Sequence, residues 1–163
     1  MATLHFVFGK PGAGKTTDAR KLAASLPGVL FVEDEWLAAL YEPITTLERY
    51  MECSRRVRAV IAPLATQLLR LGDDVVFDFA ANTRRHRAWV RSIFEAAGAD
   101  HLLHVLDVTD EECKARVRER NVTKPAGLYY GEVGEALVDA VIQHIEPPDP
   151  SEGFRTAQIV ARR

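Results

Sequence analysis

Glycine, lysine and threonine stand together in Gly9-Lys10-Pro11-Gly12-Ala13-Gly14-Lys15-Thr16, with Thr17 next. The spacing Gly-x4-Gly-Lys-Thr gives a backbone that can turn its N–H groups inward around an anion, because glycine enters left-handed conformations at little steric cost. A helix starting near Gly14 would aim its positive end at the same anion. On this reading the segment Gly9 to Thr17 holds a phosphate chain. Lys15 gives a point charge to the β- and γ-phosphates, Thr16 a hydroxyl for Mg²⁺ and Thr17 a contact to the α-phosphate. A bare glycine turn is the alternative. The apolar run Leu4-His5-Phe6-Val7-Phe8 before the motif and the helical periodicity after it argue for the phosphate loop.

Carboxylates are the second set of reactive groups. Glu33, Asp34 and Glu35 follow the apolar run Val29-Leu30-Phe31-Val32, and Asp78 follows Val75-Val76-Phe77. A carboxylate at the end of the strand after the phosphate-loop helix can accept the proton of an attacking hydroxyl, and Asp34 leads for that role. Glu33 and Glu35 remain open as the base, and all three acids could instead stabilise the start of the next helix through its dipole. Asp78 is placed to hold Mg²⁺ through water, to accept a hydrogen bond from Thr16, or to face the substrate. A carboxylate between Phe77 and Phe79 requires such a partner, because it is costly to desolvate alone.

Two arginine sets could meet an anion. Arg84, Arg87 and Arg91 share one helix face, opposite Trp89 and Ile93, and read either as a substrate contact through Arg84 and Arg87 or as a solvated surface. Arg116 and Arg120, four residues apart, precede a glycine-spotted connection that suits a closing flap, so they are expected to meet the spread charge of a phosphoryl-transfer transition state. Trp36, Leu37, Leu40 and Tyr41 would form an apolar pocket wall. The five histidines show no metal-ligand spacing, and Cys53 and Cys113 read as reduced, idle thiols.

The elements that must position these groups follow from periodicity. Strands are expected near residues 4–8, 29–32, 75–79, 101–107 and 156–160. Helices are expected from Lys15 to Pro27-Gly28, from Trp36 to Pro43, from Thr45 to Leu71 with a bend or restart at Pro63, after Asn82-Thr83, from Thr109 to about Asn121, and from Glu135 to Ile145. The third of these carries an apolar stripe through Leu47, Met51, Ser54, Val57, Ile61, Leu64, Leu68 and Leu71. Alternating strands and helices imply an α/β, mainly parallel five-stranded sheet covered on both faces. Its ligand crevice lies beyond the C-terminal strand ends, where the glycine loop, Asp34 and Asp78 all fall. At 163 residues, 47% hydrophobic and 27% charged, with a net charge of −2, the chain reads as one domain, 1–163, and not as a nucleic-acid coat. It shows neither a membrane span of roughly 20 apolar residues nor a signal-peptide pattern, so it is expected to be cytoplasmic.

The chain resembles the small P-loop kinases related to chloramphenicol phosphotransferase, zeta toxins and gluconate kinase, a group also labelled AAA-family ATP-binding proteins. The resemblance rests on Gly9 to Thr16, on Asp34 in Val32-Glu33-Asp34-Glu35-Trp36, on Val75-Val76-Phe77-Asp78 followed by Ala81-Asn82-Thr83, and on Ala115-Arg116-Val117-Arg118-Glu119-Arg120-Asn121. It implies a three-layer α/β/α P-loop NTPase fold of the nucleoside-kinase type, with a short lid at about 116–134. It also implies ATP and Mg²⁺ as cofactors, Asp34 as base and lid arginines on ATP. The expected activity is transfer of the γ-phosphate to a hydroxyl of a small molecule such as an antibiotic, sugar or nucleoside, by a monomer or homodimer. A non-catalytic nucleotide switch and a polynucleotide-end or zeta-toxin-like kinase are the alternatives. The last is weakened because Leu37 stands where those enzymes resemble Asp-x-x-Arg.

Removing the Lys15 charge in Lys15→Ala is expected to abolish tight Mg²⁺-ATP binding in a folded protein, since a charge-assisted phosphate contact is worth about 1.5–3 kcal/mol. Calorimetric titration with ATP checks this, and unchanged affinity would contradict the phosphate-loop reading.

Overall fold

The computed structural model describes residues 1–159. Five strands alternate with helices: β1 (Thr3–Phe8), α1 (Lys15–Ala24), β2 (Gly28–Val32), α2 (Glu33–Leu40), α3 (Leu47–Leu71), β3 (Asp74–Asp78), α4 (Arg84–Ala97), β4 (Asp100–Leu106), α5 (Asp110–Thr123), α6 (Glu135–Gln143) and β5 (Thr156–Ile159). The strands form one sheet in the order β2-β3-β1-β4-β5, and every neighbouring pair is parallel. Val160, expected to end the last strand, lies outside the described residues.

Residue alternation along the strands builds two cores, one on each sheet face. Leu4, Phe6, Phe77 and Leu103 point to the side covered by Val57, Ile61 and Ala65 of α3 and Val90, Ile93 and Phe94 of α4. Val7, Val76 and Leu106 point to the other side, with Ala19 of α1 and Cys113 of α5. Both thiols are buried and free. The fold is therefore the expected α/β arrangement, with an all-parallel sheet between helical layers.

The α3 helix differs from expectation. It runs unbroken through Pro63, with Thr46 capping its start by accepting from the Arg49 N–H at 3.2 Å and Gly72 ending it in the left-handed region at φ 98°. The ring at Pro63 removes one intrahelical hydrogen bond, yet the flanking turns are pinned by Ile61 and Ala65, both fully buried, so no restart is needed. The inward stripe is also rotated: Cys53, Ser54, Val57, Ile61, Ala65 and Leu69 are buried, whereas Met51, Leu64 and Leu71 are exposed.

Arg84 and Arg87 require a second correction, because neither faces the crevice. The Arg87 side chain is fully buried, and its Nε and Nη2 both donate to Glu152, each at 2.8 Å. Its Nη1 donates to the carbonyls of Ala81 at 2.9 Å and Glu146 at 2.8 Å. The guanidinium thus rivets the chain after α6 to the turn between β3 and α4, and has no donor left for a substrate. Arg84 is exposed, its backbone N–H donating to Glu146 at 2.9 Å and its side chain 3.9 Å from Asp149.

Breaking a buried ion pair from one side leaves an uncompensated charge, so Arg87→Ala should lower unfolding free energy by about 3–5 kcal/mol. The exposed Arg84→Ala should cost no more than about 1 kcal/mol. Urea denaturation of both variants checks the contrast, and equal midpoints would contradict the rivet.

Candidate functional site

The glycine loop joins β1 to α1 in the conformation its sequence requires. Gly12 and Gly14 take φ of 82° and 100°, in the region L side chains rarely enter. A methyl group on Gly12 would also lie 2.4 Å from the Cys113 carbonyl oxygen and 2.9 Å from Val117, so glycine is required there on two counts. The Ala13 N–H closes a turn onto the Lys10 carbonyl at 3.0 Å. Lys15, first residue of α1, donates to the carbonyls of Gly9 at 2.8 Å and Lys10 at 2.9 Å. Burial lowers its pKa, and the Asp78 and Asp34 carboxylates oppose that shift. The side chain of Lys10 turns away from the loop, to Asp110 at 2.5 Å and the Val108 carbonyl at 3.0 Å. Any nucleotide contact it makes is through its backbone.

Asp78 ends β3 beside α1 and accepts a 2.5 Å hydrogen bond from the Thr16 hydroxyl. Burial pushes the Asp78 carboxyl up, against the Thr16 hydrogen bond and Lys15. A hydroxyl and a carboxylate at the mouth of a phosphate loop are hard oxygen donors, and they fit Mg²⁺, which takes few protein ligands and completes its shell with phosphate and water. Among the described residues no three His, Cys, Asp or Glu side chains converge into a protein-only metal cage.

The structure sorts the three adjacent acids by their partners. Glu33 is buried and accepts from Ser54 at 2.5 Å, from Arg58 Nε at 3.0 Å and from the Tyr50 hydroxyl at 3.4 Å. Arg58 is itself fixed, lying over the Trp89 ring at 4.7 Å and the Phe79 ring at 5.5 Å and donating to the Ala80 carbonyl at 3.3 Å. Glu35 faces outward and pairs with Arg20 at 2.7 Å. Asp34 alone of the three opens into the crevice without a hydrogen-bonded partner among the described residues. Its exposure is to that crevice. Its carboxyl is raised from 3.8 to about 6, by burial first and then by Glu33 and Asp78, against Lys15 and Arg120.

The crevice has a volume of about 2320 Å³ and joins the glycine loop, Asp34 and Asp78 to a recess between α3 and α4. Leu37, Tyr41, Tyr50, Phe79 and Trp89 give that recess its apolar lining. Trp36 does not line it. Half-buried, Trp36 faces the core and packs on Phe31 with ring centroids 6.3 Å apart, which corrects its expected place on the wall. Over the loop, Arg116 donates to the Ala13 carbonyl at 3.1 Å and to Glu112 at 2.8 Å. Arg120 lines the crevice, and its buried Nε has no partner among the described residues. The connection from α5 to α6 is clamped where Asn121 donates to Val133 O at 2.7 Å and accepts from Val133 N at 3.1 Å, and where Arg20 donates to the Gly127 carbonyl at 2.7 Å.

Sequence reasoning passed over Tyr50, Arg55, Arg58, Arg85, His86 and Trp89 as crevice residues. Ser54 inside an apolar stripe, with Arg58 one turn on, was the available signal of a buried polar contact.

Residues 4–148 match the family model of the AAA domain. No curated protein matches the chain. Among solved structures, a candidate kinase from Chloroflexus aurantiacus superposes with a TM-score of 0.78 at 16% identity, covering 98% of this chain and 88% of that one. Kti12 from Chaetomium thermophilum, in complex with ADP-AlF3, gives 0.70 at 18% identity, over 96% and 87% of the two chains. A sugar kinase from Janibacter gives 0.67 at 18%, over 100% and 87%. The fold is that of the small P-loop kinases. No described helix is long and apolar enough to cross a membrane.

The elevated Asp34 pKa has a consequence for stability. A carboxyl whose pKa rises on folding contributes stability that is present below its unfolded value, 3.8, and lost as pH rises through about 6. Asp34→Asn lacks that dependence. The variant should therefore gain in Tm relative to the parent between pH 4 and pH 7, and a difference in Tm that stays constant over that range would contradict the shift.

Proposed function

The chain belongs to the AAA-domain family, and from that premise we propose that it is an ATP-dependent phosphotransferase acting on a hydroxyl group of a small molecule. The observation that carries this reading is the sorting of the acids: Glu33 and Glu35 are occupied, whereas Asp34 opens into the same crevice as the phosphate loop. A nucleotide switch has no use for a free carboxylate poised beside the γ-phosphate position. A kinase has.

In the proposed reaction, loop N–H groups from Gly9 to Thr17 and the α1 N-terminus hold the triphosphate, with Lys15 leaving its loop carbonyls for the β- and γ-phosphates. Asp34 takes the proton of the acceptor hydroxyl as that oxygen bonds to the γ-phosphorus and the bond to the β–γ bridging oxygen breaks, releasing ADP. Arg116 and Arg120 of α5, held beside the loop, bring positive charge to the transferring group, and the connection that follows them, to residue 134, acts as the lid that excludes water. Mg²⁺ held by Thr16 and Asp78 would neutralise charge on the phosphate oxygens. A sugar kinase among the structural neighbours supports the class of acceptor. The nucleic-acid-end reading loses Arg84 and Arg87, which lie against the chain's own acids.

The test is transfer of radiolabelled γ-phosphate to a panel of hydroxyl compounds. Asp34→Asn should bind ATP normally and turn over about 10²–10⁴-fold more slowly. The parent kcat/KM should rise with pH to a plateau above about 6, where Asp34 is ionised. Hydrolysis without transfer to any acceptor, or full turnover by Asp34→Asn, would overturn the reading.

A further inference from the structure

Ion pairs occupy most of the arginines among the described residues. Arg20, Arg49, Arg56, Arg58, Arg84, Arg87, Arg91, Arg116, Arg118 and Arg155 each lie against a carboxylate. Arg70 lies outside the crevice and donates to the Ala96 carbonyl. Arg55, Arg85 and Arg120 have no carboxylate within ion-pair distance among the described residues, and all three line the crevice. Arg120 stands at the nucleotide end, where a triphosphate accounts for it. Arg55 and Arg85 stand at the other end, on the packed pair α3 and α4, and the nucleotide does not account for them.

We propose that Arg55 and Arg85 bind an anionic group of the acceptor, a carboxylate or a phosphate, carried in addition to the hydroxyl that receives the phosphoryl group. This rests on the kinase reading above for the hydroxyl, but not for the anion.

Arg55 precedes Arg58 by three residues and shares its helix face, so the two guanidinium groups look toward one recess. The Glu33 carboxylate beneath them is already neutralised by Arg58, and Glu52 by Arg49 and Arg56. His86 lies next to Arg85. Its pKa is lowered by burial, then by Arg58, with Arg85 and Arg87 adding to the effect and Glu33 opposing it. The imidazole is thus held neutral, and its Nδ1 and the neighbouring Asn82 Oδ1 have no hydrogen-bond partner among the described residues. Both atoms are closed off from solvent, so a small polar acceptor would lie beside them and not on them. Tyr50, Phe79 and Trp89 cover its carbon skeleton between the anion and Asp34.

Arg55 and Arg85 are both exposed, so a neutral alcohol offers them nothing beyond the water they already meet, whereas an anion gains from a cleft that focuses positive potential. A polyanion fits less well, because Glu42 and Glu119 also line the crevice and interrupt any basic track.

Matched probes test the proposal on the full chain: sugar acids, sugar phosphates with free hydroxyls, and the neutral sugars of the same skeleton. Calorimetry reads binding, and radiolabelled γ-phosphate reads transfer. At least one anionic series should bind about tenfold or more tighter than its neutral counterpart, and the series that does so tells a carboxylate from a phosphate. Arg55→Gln and Arg85→Gln should each weaken that series by about 10–100-fold, the range of one lost charge-assisted hydrogen bond. The loss should fall on KM and leave the affinity of the neutral counterpart in place. Equal affinity for neutral and anionic probes, no binding of either, variants that weaken both alike, or label appearing on 5′-hydroxyl oligonucleotides alone would each overturn it. Arginine-dependent binding of the anionic probes with no transfer sustains the anion site and sinks the kinase reading. Transfer to neutral alcohols alone does the reverse.

Discussion

The site depends on one buried ion pair, Glu33 with Arg58. A carboxylate in that position would be prohibitive to bury alone, and Arg58 could not lie flat on Trp89 and Phe79 without a charge to meet it. Ser54, Tyr50 and the Ala80 carbonyl satisfy what the pair leaves over, so the network is complete. It ties the first turn of α2 to α3 and to the turn after β3. With Glu33 turned down into this network and Glu35 turned out to Arg20, helical geometry leaves Asp34 pointing into the crevice. The orientation of the candidate base is thus set by its neighbours' partners.

The same pair shapes the electrostatics around it. Burial first, then Glu33 and Asp78, raise the Asp34 pKa to about 6, and Lys15 and Arg120 restrain it. Lys15 experiences the reverse, with burial against it and two carboxylates in its favour. Charges of opposite sign are held at short range in a cleft without being paired off, which is the condition for groups that must change partners during a reaction.

Most of the architecture was legible in the sequence. Continuous apolar strands, glycine and proline stops, and Thr83 and Thr109 as helix caps placed most elements within two residues, because each signal is local, while α2 begins three residues before the expected Trp36 and takes the acidic cluster into its first turn. The glycine loop, Asp34 and Asp78 were legible for the same reason: the parallel topology brings strand ends to one rim. Arg87 was not. Its spacing with Arg84 and Arg91 says only which helix face it shares, and its fate was decided by Glu152, 65 residues away. Trp36 failed similarly, since helical periodicity cannot say which side of α2 meets the core at Phe31. Pro63 misled because a local rule about helices yielded to packing on both sides of it. Arg58 went unread because a long polar side chain on an apolar stripe is usually solvated, and only the fold brings Glu33 within its reach.

The contact of Gly12 with the Cys113 carbonyl also constrains motion. The phosphate loop and the first turns of α5 touch so closely that a methyl group would not fit between them, and Arg116 adds a bond to the Ala13 carbonyl from the same helix. The base of α5 therefore cannot rock independently of the loop. A swing of the connection beyond it must pivot further along, near Lys124, the one non-glycine residue with positive φ among the described residues, where the helix already ends in a bent backbone. The moving arm is short, and α5 behaves as part of the anvil and not of the hammer.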